Sequence, residues 1–159
     1  MPTIRLETDI NVPIETCFDL ARDMGLHPQT VGGSHERAVA GRIRGLLGPG
    51  EWVTFEATHF GVRQRLTARM TEFEAPILFA DEMAQGAFQS LTHRHEFSAR
   101  PDGGTRMTDT LEFVSPLGVL GRLADRLFLE RHLRRFLEGR NRELKRIAES
   151  GTGGSDGTR

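Results

Sequence analysis

Tyrosine is absent from this chain, tryptophan and cysteine occur once each, and no apolar run approaches the ~20 residues of a membrane-spanning helix. The lone Cys17 excludes an intramolecular disulfide and a cysteine zinc cluster, and no nucleophile signature surrounds it. Without tyrosine, the usual phenolic acid for enolate chemistry is missing. Charge of one sign is lacking too: 21 Lys and Arg against 22 Asp and Glu give a formal net charge of −1, which offers no reason to expect nucleic acid or an anionic membrane as partner. The N-terminus has no basic-then-apolar layout of a secretion signal. Neither GLLGPG (45–50) nor RPDGG (100–104) matches a phosphate-cradling loop, so both read as turns. The 159 residues are enough for one core, and a soluble cytoplasmic protein, monomeric or homodimeric, is expected.

The strongest positive signal is the end of the chain. Pro116 can open a helix, and apolar residues then fall at Leu120, Leu123, Leu127, Phe128, Leu133, Phe136, Leu137, Leu144 and Ile147, the spacing of one buried stripe. Arg131, Arg134, Arg140, Arg142 and the other charged residues between them are expected in water. A helix over Leu117–Ala148, at ~1.5 Å per residue, is long enough to cross a whole sheet. A polar tail, 150–159, is expected to be disordered.

The sheet is legible upstream. Residues 3–12 alternate as a half-buried strand. Pro13 starts a helix with Ile14, Cys17, Phe18 and Ala21 on one face, and a short helical turn around Pro28 follows. Six further strands are predicted near 35–45, 51–59, 62–73, 77–84, 88–99 and 105–114, divided by Gly- and Pro-containing turns. Short connections require an antiparallel meander, because parallel neighbours need long crossovers. Val53, Phe55 and Ala57, Leu66, Ala68 and Met70, Phe79 and Met83, Leu91 and Phe97, and Met107, Leu111 and Phe113 alternate with polar neighbours, so one face should be covered. The expected fold is α+β: a curved seven-stranded antiparallel sheet wrapped around a long C-terminal helix, with two short helices after the first strand, all within one domain over 1–149.

This layout is a helix-grip, and the residues carry a closer likeness. DINVPIETCFDLARD, PILFADEMAQGAFQSLTHRHEF, GGTRMTDTLEF and SPLGVLGRLADRLFLERHLRRFLEGRN resemble the START and birch-pollen-allergen-like superfamily, which also groups polyketide cyclases and coenzyme Q-binding proteins. The resemblance implies a deep cavity between the long helix and the sheet.

The chemically richest residues lie in one predicted hairpin. If 101–104 form the turn and Ala99 faces Thr105, then Phe97 opposes Met107, His95 opposes Asp109 and His93 opposes Leu111. His95 and Asp109 share phase with the inward apolar residues, where an unpaired imidazole or carboxylate is costly. They read either as a structural pair or as a polar spot that orients a ligand. His93 and His95, alternate on one strand face and so ~6.6 Å apart, have a spacing at which two imidazoles reach one ion. No second motif decides whether His59, Asp81, Asp109 or His132 would be the third ligand, so neither metal nor cofactor is expected. His27 and His35 are expected to touch solvent, and Trp52, out of phase with Val53, to sit on the outer face or at a mouth.

The leading expectation is a binding or transport protein for a small to medium hydrophobic molecule. Phe79, Leu91, Phe113 and Phe128 would form its apolar walls, His93, His95, Asp109 and Asp81 its polar anchor, and His59 and His132 its edge. A cyclase or dehydratase with a histidine–carboxylate general base, and an interaction module with a filled core, are the alternatives.

Overall fold

The computed structural model describes residues 2–31, 35–59, 61–115 and 128–151. Strand β1 (Thr3–Ile10) is followed by helices α1 (Ile14–Ala21) and α2 (His27–Thr30), and then by β2 (Arg37–Gly41), β3 (Trp52–His59), β4 (Val62–Glu74), β5 (Leu78–Gln85), β6 (Ser90–Ala99) and β7 (Thr105–Val114). The C-terminal helix, α3, is described over Glu130–Ser150. Its expected beginning, with Leu120, Leu123 and Leu127, lies outside the described residues, as does the tail from 152. The seven strands form one antiparallel sheet in the order β1-β7-β6-β5-β4-β3-β2. The fold is therefore the helix-grip α+β arrangement.

Local sequence explains each part. Pro13 caps α1 and turns Cys17, Phe18 and Ala21 into the core. Phe18 is the hub, edge-on to Phe73, Phe79 and Phe97 with ring centroids 5.5, 5.4 and 5.3 Å away. Edge-to-face contacts of this kind add to the area they bury. The pairing register shifts between Ala38 and Ala40, between Thr67 and Ala68, and between Met70 and Glu72. Such bulges bend the bulged strand and increase the local twist of the sheet. Gly41 is required where it is: its φ is +75°, and a Cβ there would lie 2.3 Å from the Trp52 carbonyl oxygen. Trp52 itself is 39% exposed and sits with Thr54, Thr67 and Arg69 on the side of the sheet away from the helix.

The helix is attached unevenly. Toward its C-terminus, Leu144 and Ala148 join Ile10, Val12, Cys17, Phe18 and Met107 in the main core. Lys145 Nζ donates to the Asp9 carbonyl at 2.6 Å, and Glu149 accepts from the Asn11 N–H at 3.1 Å. Near the middle, Leu137 packs with Ile4, Leu111 and Phe113 in a second cluster. Toward the N-terminus, Leu133 and Phe136 are only partly buried, and Phe128 is 69% exposed. Phe136 was expected to be largely buried against the sheet; it meets His59 edge-on, ring centroids 5.4 Å apart, but stays half-buried because it also faces a cavity. Among the described residues, no helix is long and apolar enough to cross a membrane.

Candidate functional site

A cavity of about 460 Å³ lies between the N-terminal part of α3 and the inner face of β3–β6. Its apolar wall includes Val53, Phe55, Ala57, Leu66, Phe79, Leu91, Leu133 and Phe136, while Asp81, His93, His95 and Arg140 gather as a polar patch. Strand alternation accounts for the patch. Asp81 is in phase with Phe79 on β5, and His93 and His95 with Leu91 on β6. Pairing then sets Asp81 opposite His93 and Phe79 opposite His95. On the other side of β6, His95 lies opposite Asp109, His93 opposite Leu111 and Phe97 opposite Met107, the register expected from the four-residue turn.

The contacts differ in detail from that simple pairing. His93 Nε2 makes the aligned hydrogen bond to Asp109 Oδ1, at 2.9 Å, along the diagonal of the ladder. His95 Nδ1 is 2.8 Å from the same oxygen but is poorly aligned with it and has no hydrogen-bond partner. The two imidazoles are tilted face to face, 3.9 Å between centroids, and His95 stacks on Phe79 at 4.3 Å. His95 Nε2 points at Asp81 Oδ2, 3.6 Å away.

Asp109 is fully buried and does not reach the cavity surface, so its expected ligand contact is replaced by a role behind the histidines. Phe113 is likewise fully buried, packed edge-on against Phe88, and is not part of the cavity wall. Both belong to β7, where Asn141 of α3 donates to Asp109 and Leu137 packs with Phe113. Phe128 lines the cavity only at its exposed rim. His59 and His132 also line it, joined by a 2.9 Å contact between His59 Nδ1 and His132 Nε2.

Two residues of α3 complete the cluster although they were not expected there. Asn141 Nδ2 donates to Asp109 Oδ2 at 2.7 Å and approaches Thr8 Oγ1 at 3.3 Å. Arg140, expected in water, is buried, with a guanidinium nitrogen 3.6 Å from Asp109 Oδ1 and another 3.4 Å from the Ala21 carbonyl. Helical phase is the signal that finds them. Asn141 lies four residues beyond Leu137 and three before Leu144, and Arg140 four beyond Phe136. His27, also expected in solvent, instead pairs with Glu36, stacks on Phe55 and lines the cavity.

Burial opposes the charge on each of these groups, and partners decide the outcome. For Asp109, burial is outweighed by the hydrogen bond from His93 and by the His95 imidazole set against the same oxygen, which hold the carboxyl well below its usual range. For Asp81, burial is again outweighed, by His95, whose Nε2 faces it, and by the electrostatic pull of the histidine pair, so its carboxyl is lowered. His95, between two carboxylates, is raised despite burial. His93 is lowered by burial and by the neighbouring His95. The cluster thus favours charge on His95 and a neutral His93. Cys17 is pushed up to about 12 by burial and by the charge of Asp109, which makes it inert.

A family profile described as polyketide cyclase/dehydrase and lipid transport matches residues 1–149. Among curated proteins, none matches this chain. Several solved structures share its fold. The Zhui aromatase/cyclase from Streptomyces sp. R1128 is 14% identical, with a TM-score of 0.79 and 99% of both chains covered. TTHA0849 from Thermus thermophilus is 18% identical, with a TM-score of 0.78 over 94% of this chain and 99% of that one. The major latex-like protein 151 from Panax ginseng is 11% identical, with a TM-score of 0.65 over 92% of this chain and 97% of that one. At these identities the likeness is one of fold.

Proposed function

The chain belongs to the polyketide cyclase/dehydrase and lipid transport family, and from that premise we propose that it encloses a small to medium hydrophobic molecule. Phe79, Leu91 and Phe136 hold the apolar body, and Asp81, His93, His95 and Arg140 orient a polar end. One observation carries this reading: a cavity of about 460 Å³ with a mostly apolar wall and a charged patch formed by Asp81, His93, His95 and Arg140. That volume falls within the ~300–1,000 Å³ of small-molecule sites, and the mixture of walls suits a ligand that must be both buried and oriented. The near-balanced charge of the chain offers no basic surplus for nucleic acid, and a soluble cytoplasmic protein acting as one domain, monomeric or homodimeric, is part of the same proposal. Native mass spectrometry of protein purified from its own host tests the proposal. A retained small-molecule mass is expected. Protein that carries no such mass and takes up none from an organic extract of the host contradicts it.

A second reading has its own observation. His95 Nε2 and Asp81 Oδ2, 3.6 Å apart at the cavity wall, have the residue types of a general acid–base pair, as a cyclase or dehydratase needs. Turnover of the retained molecule, lost in Asp81→Asn, would identify an enzyme; release of that molecule unchanged would identify a carrier.

A further inference from the structure

We propose that Asp81, His93 and His95 form a binding site for one divalent first-row transition-metal ion, with its open coordination positions facing the cavity. The donor atoms of these three side chains lie within 4.8 Å of one another, and the edge from His95 Nε2 to Asp81 Oδ2 is already 3.6 Å. A metal with ligands at ~2.0–2.1 Å needs donor-to-donor edges of about 3.0–3.4 Å. Side-chain rotations that close the widest edge by up to about 1.8 Å would give that geometry, and all three residues stand on two paired strands.

The surroundings match the demand. A metal-bound histidine holds its second nitrogen against a carboxylate, carbonyl or water, which fixes the ring and its tautomer. Here Asp109 Oδ1 hydrogen-bonds His93 Nε2 at 2.9 Å and backs that ring, while His95 Nδ1 lies 2.8 Å from the same oxygen without alignment and needs only a small ring rotation to be held as well. His93 Nδ1 and His95 Nε2 are then the nitrogens left to offer lone pairs. Asn141 fixes the other oxygen of Asp109, and Arg140 lies against the first. A bound cation would take the place of the proton that His95 shares between Asp81 and Asp109, so the two carboxylates that face that ring are the charge it would neutralise. Two imidazoles and a carboxylate suit Zn²⁺, Fe²⁺ or their neighbours better than Mg²⁺ or Ca²⁺, which prefer all-oxygen sets. The remaining coordination positions would take water or an oxygen donor of the enclosed molecule.

This inference goes beyond apolar enclosure and stands on the cluster alone, so it is tested with metal only. Chelator-treated full-length protein is titrated with Zn²⁺ by calorimetry, and the imidazole nitrogens of the same protein are followed by NMR. One ion per chain is expected, with shifts confined to the rings of His93 and His95, and His93→Gln should weaken binding on the order of tenfold to a hundredfold. Absence of saturable binding overturns the proposal, as does an ion that shifts His59 and His132 instead. Full affinity in a folded His93→Gln protein also overturns it. If His93→Gln does not fold, the ring shifts of the unaltered protein decide the matter. A negative result leaves apolar enclosure standing, and a failure to bind any apolar molecule leaves the metal titration unaffected.

Discussion

The C-terminal half of α3 buries Leu144 and Ala148 in a closed core, whereas its N-terminal half leaves Phe136 half-buried over a cavity and Phe128 in solvent. One amphipathic helix therefore serves as a core element at one end and as the wall of a binding space at the other. Between them stands the belt formed by Arg140 and Asn141 with Asp109, the point at which solid packing gives way to the polar patch of the cavity. Phe18 shows what the closed half contributes, since it touches three other phenylalanines and is 1% exposed. The cavity half contributes far less to stability, because a side chain facing empty space has fewer partners to lose.

The largest expected effect breaks the closed half. Phe18→Ala should cost about 3–5 kcal/mol of unfolding free energy, while Phe136→Ala should cost under about 1.5 kcal/mol. Denaturant unfolding of the two variants measures the contrast, and equal losses would show that the two ends of the helix do not differ.

The belt comes next. Asp109→Asn removes the carboxylate that compensates the buried Arg140 and the histidines, and a loss of about 3 kcal/mol at neutral pH is expected. Its pH dependence gives the sign. The folded carboxyl is held below its unfolded value near ~3.9, so the stabilisation is present above that value and disappears as pH falls through the folded one. Acid titration of stability should therefore cost the unaltered protein this increment, whereas Asp109→Asn, which never had it, should show a shallower decline.

The smallest effect concerns the cavity rim. His132 is shifted below its ordinary value by burial and then by His59, so charging it costs more in the folded state than in the unfolded one. Stability from this group is intact above the unfolded value near ~6.5 and declines as pH falls below it. Melting curves between pH 7 and pH 5 should fall more for the unaltered protein than for His132→Gln.

How much of this was legible follows the same division. Period-two alternation and a four-residue turn were enough to set His95 opposite Asp109, because a one-residue slip would have turned one of them to the opposite face. Alternation names a face, however, and not what covers it. Phe113 and Leu91 share a face, yet one is locked under Leu137 and the other lines a void, a difference fixed by where the helix touches the sheet. Arg140 and Asn141 escaped for another reason. Their side-chain type argues for water, while their helical phase argues for the interior, and the buried Asp109 settles the conflict by supplying the partner that each needs. His27 followed the same course, drawn inward by Glu36 and the Phe55 ring.

The central claim is that the cavity end of the fold admits an apolar molecule. Trp52 faces away from the cavity, so intrinsic fluorescence does not report on it, and the direct measurement is a titration with the fluorescent probe 1-anilinonaphthalene-8-sulfonate. Ala57 lies on the cavity wall, and Ala57→Trp fills space there without disturbing the core around Phe18. Saturable binding of one probe per native chain, lost in Ala57→Trp while its unfolding midpoint is retained, is the predicted result. A native protein that does not bind the probe, or a filled variant that binds it equally well, would contradict the account.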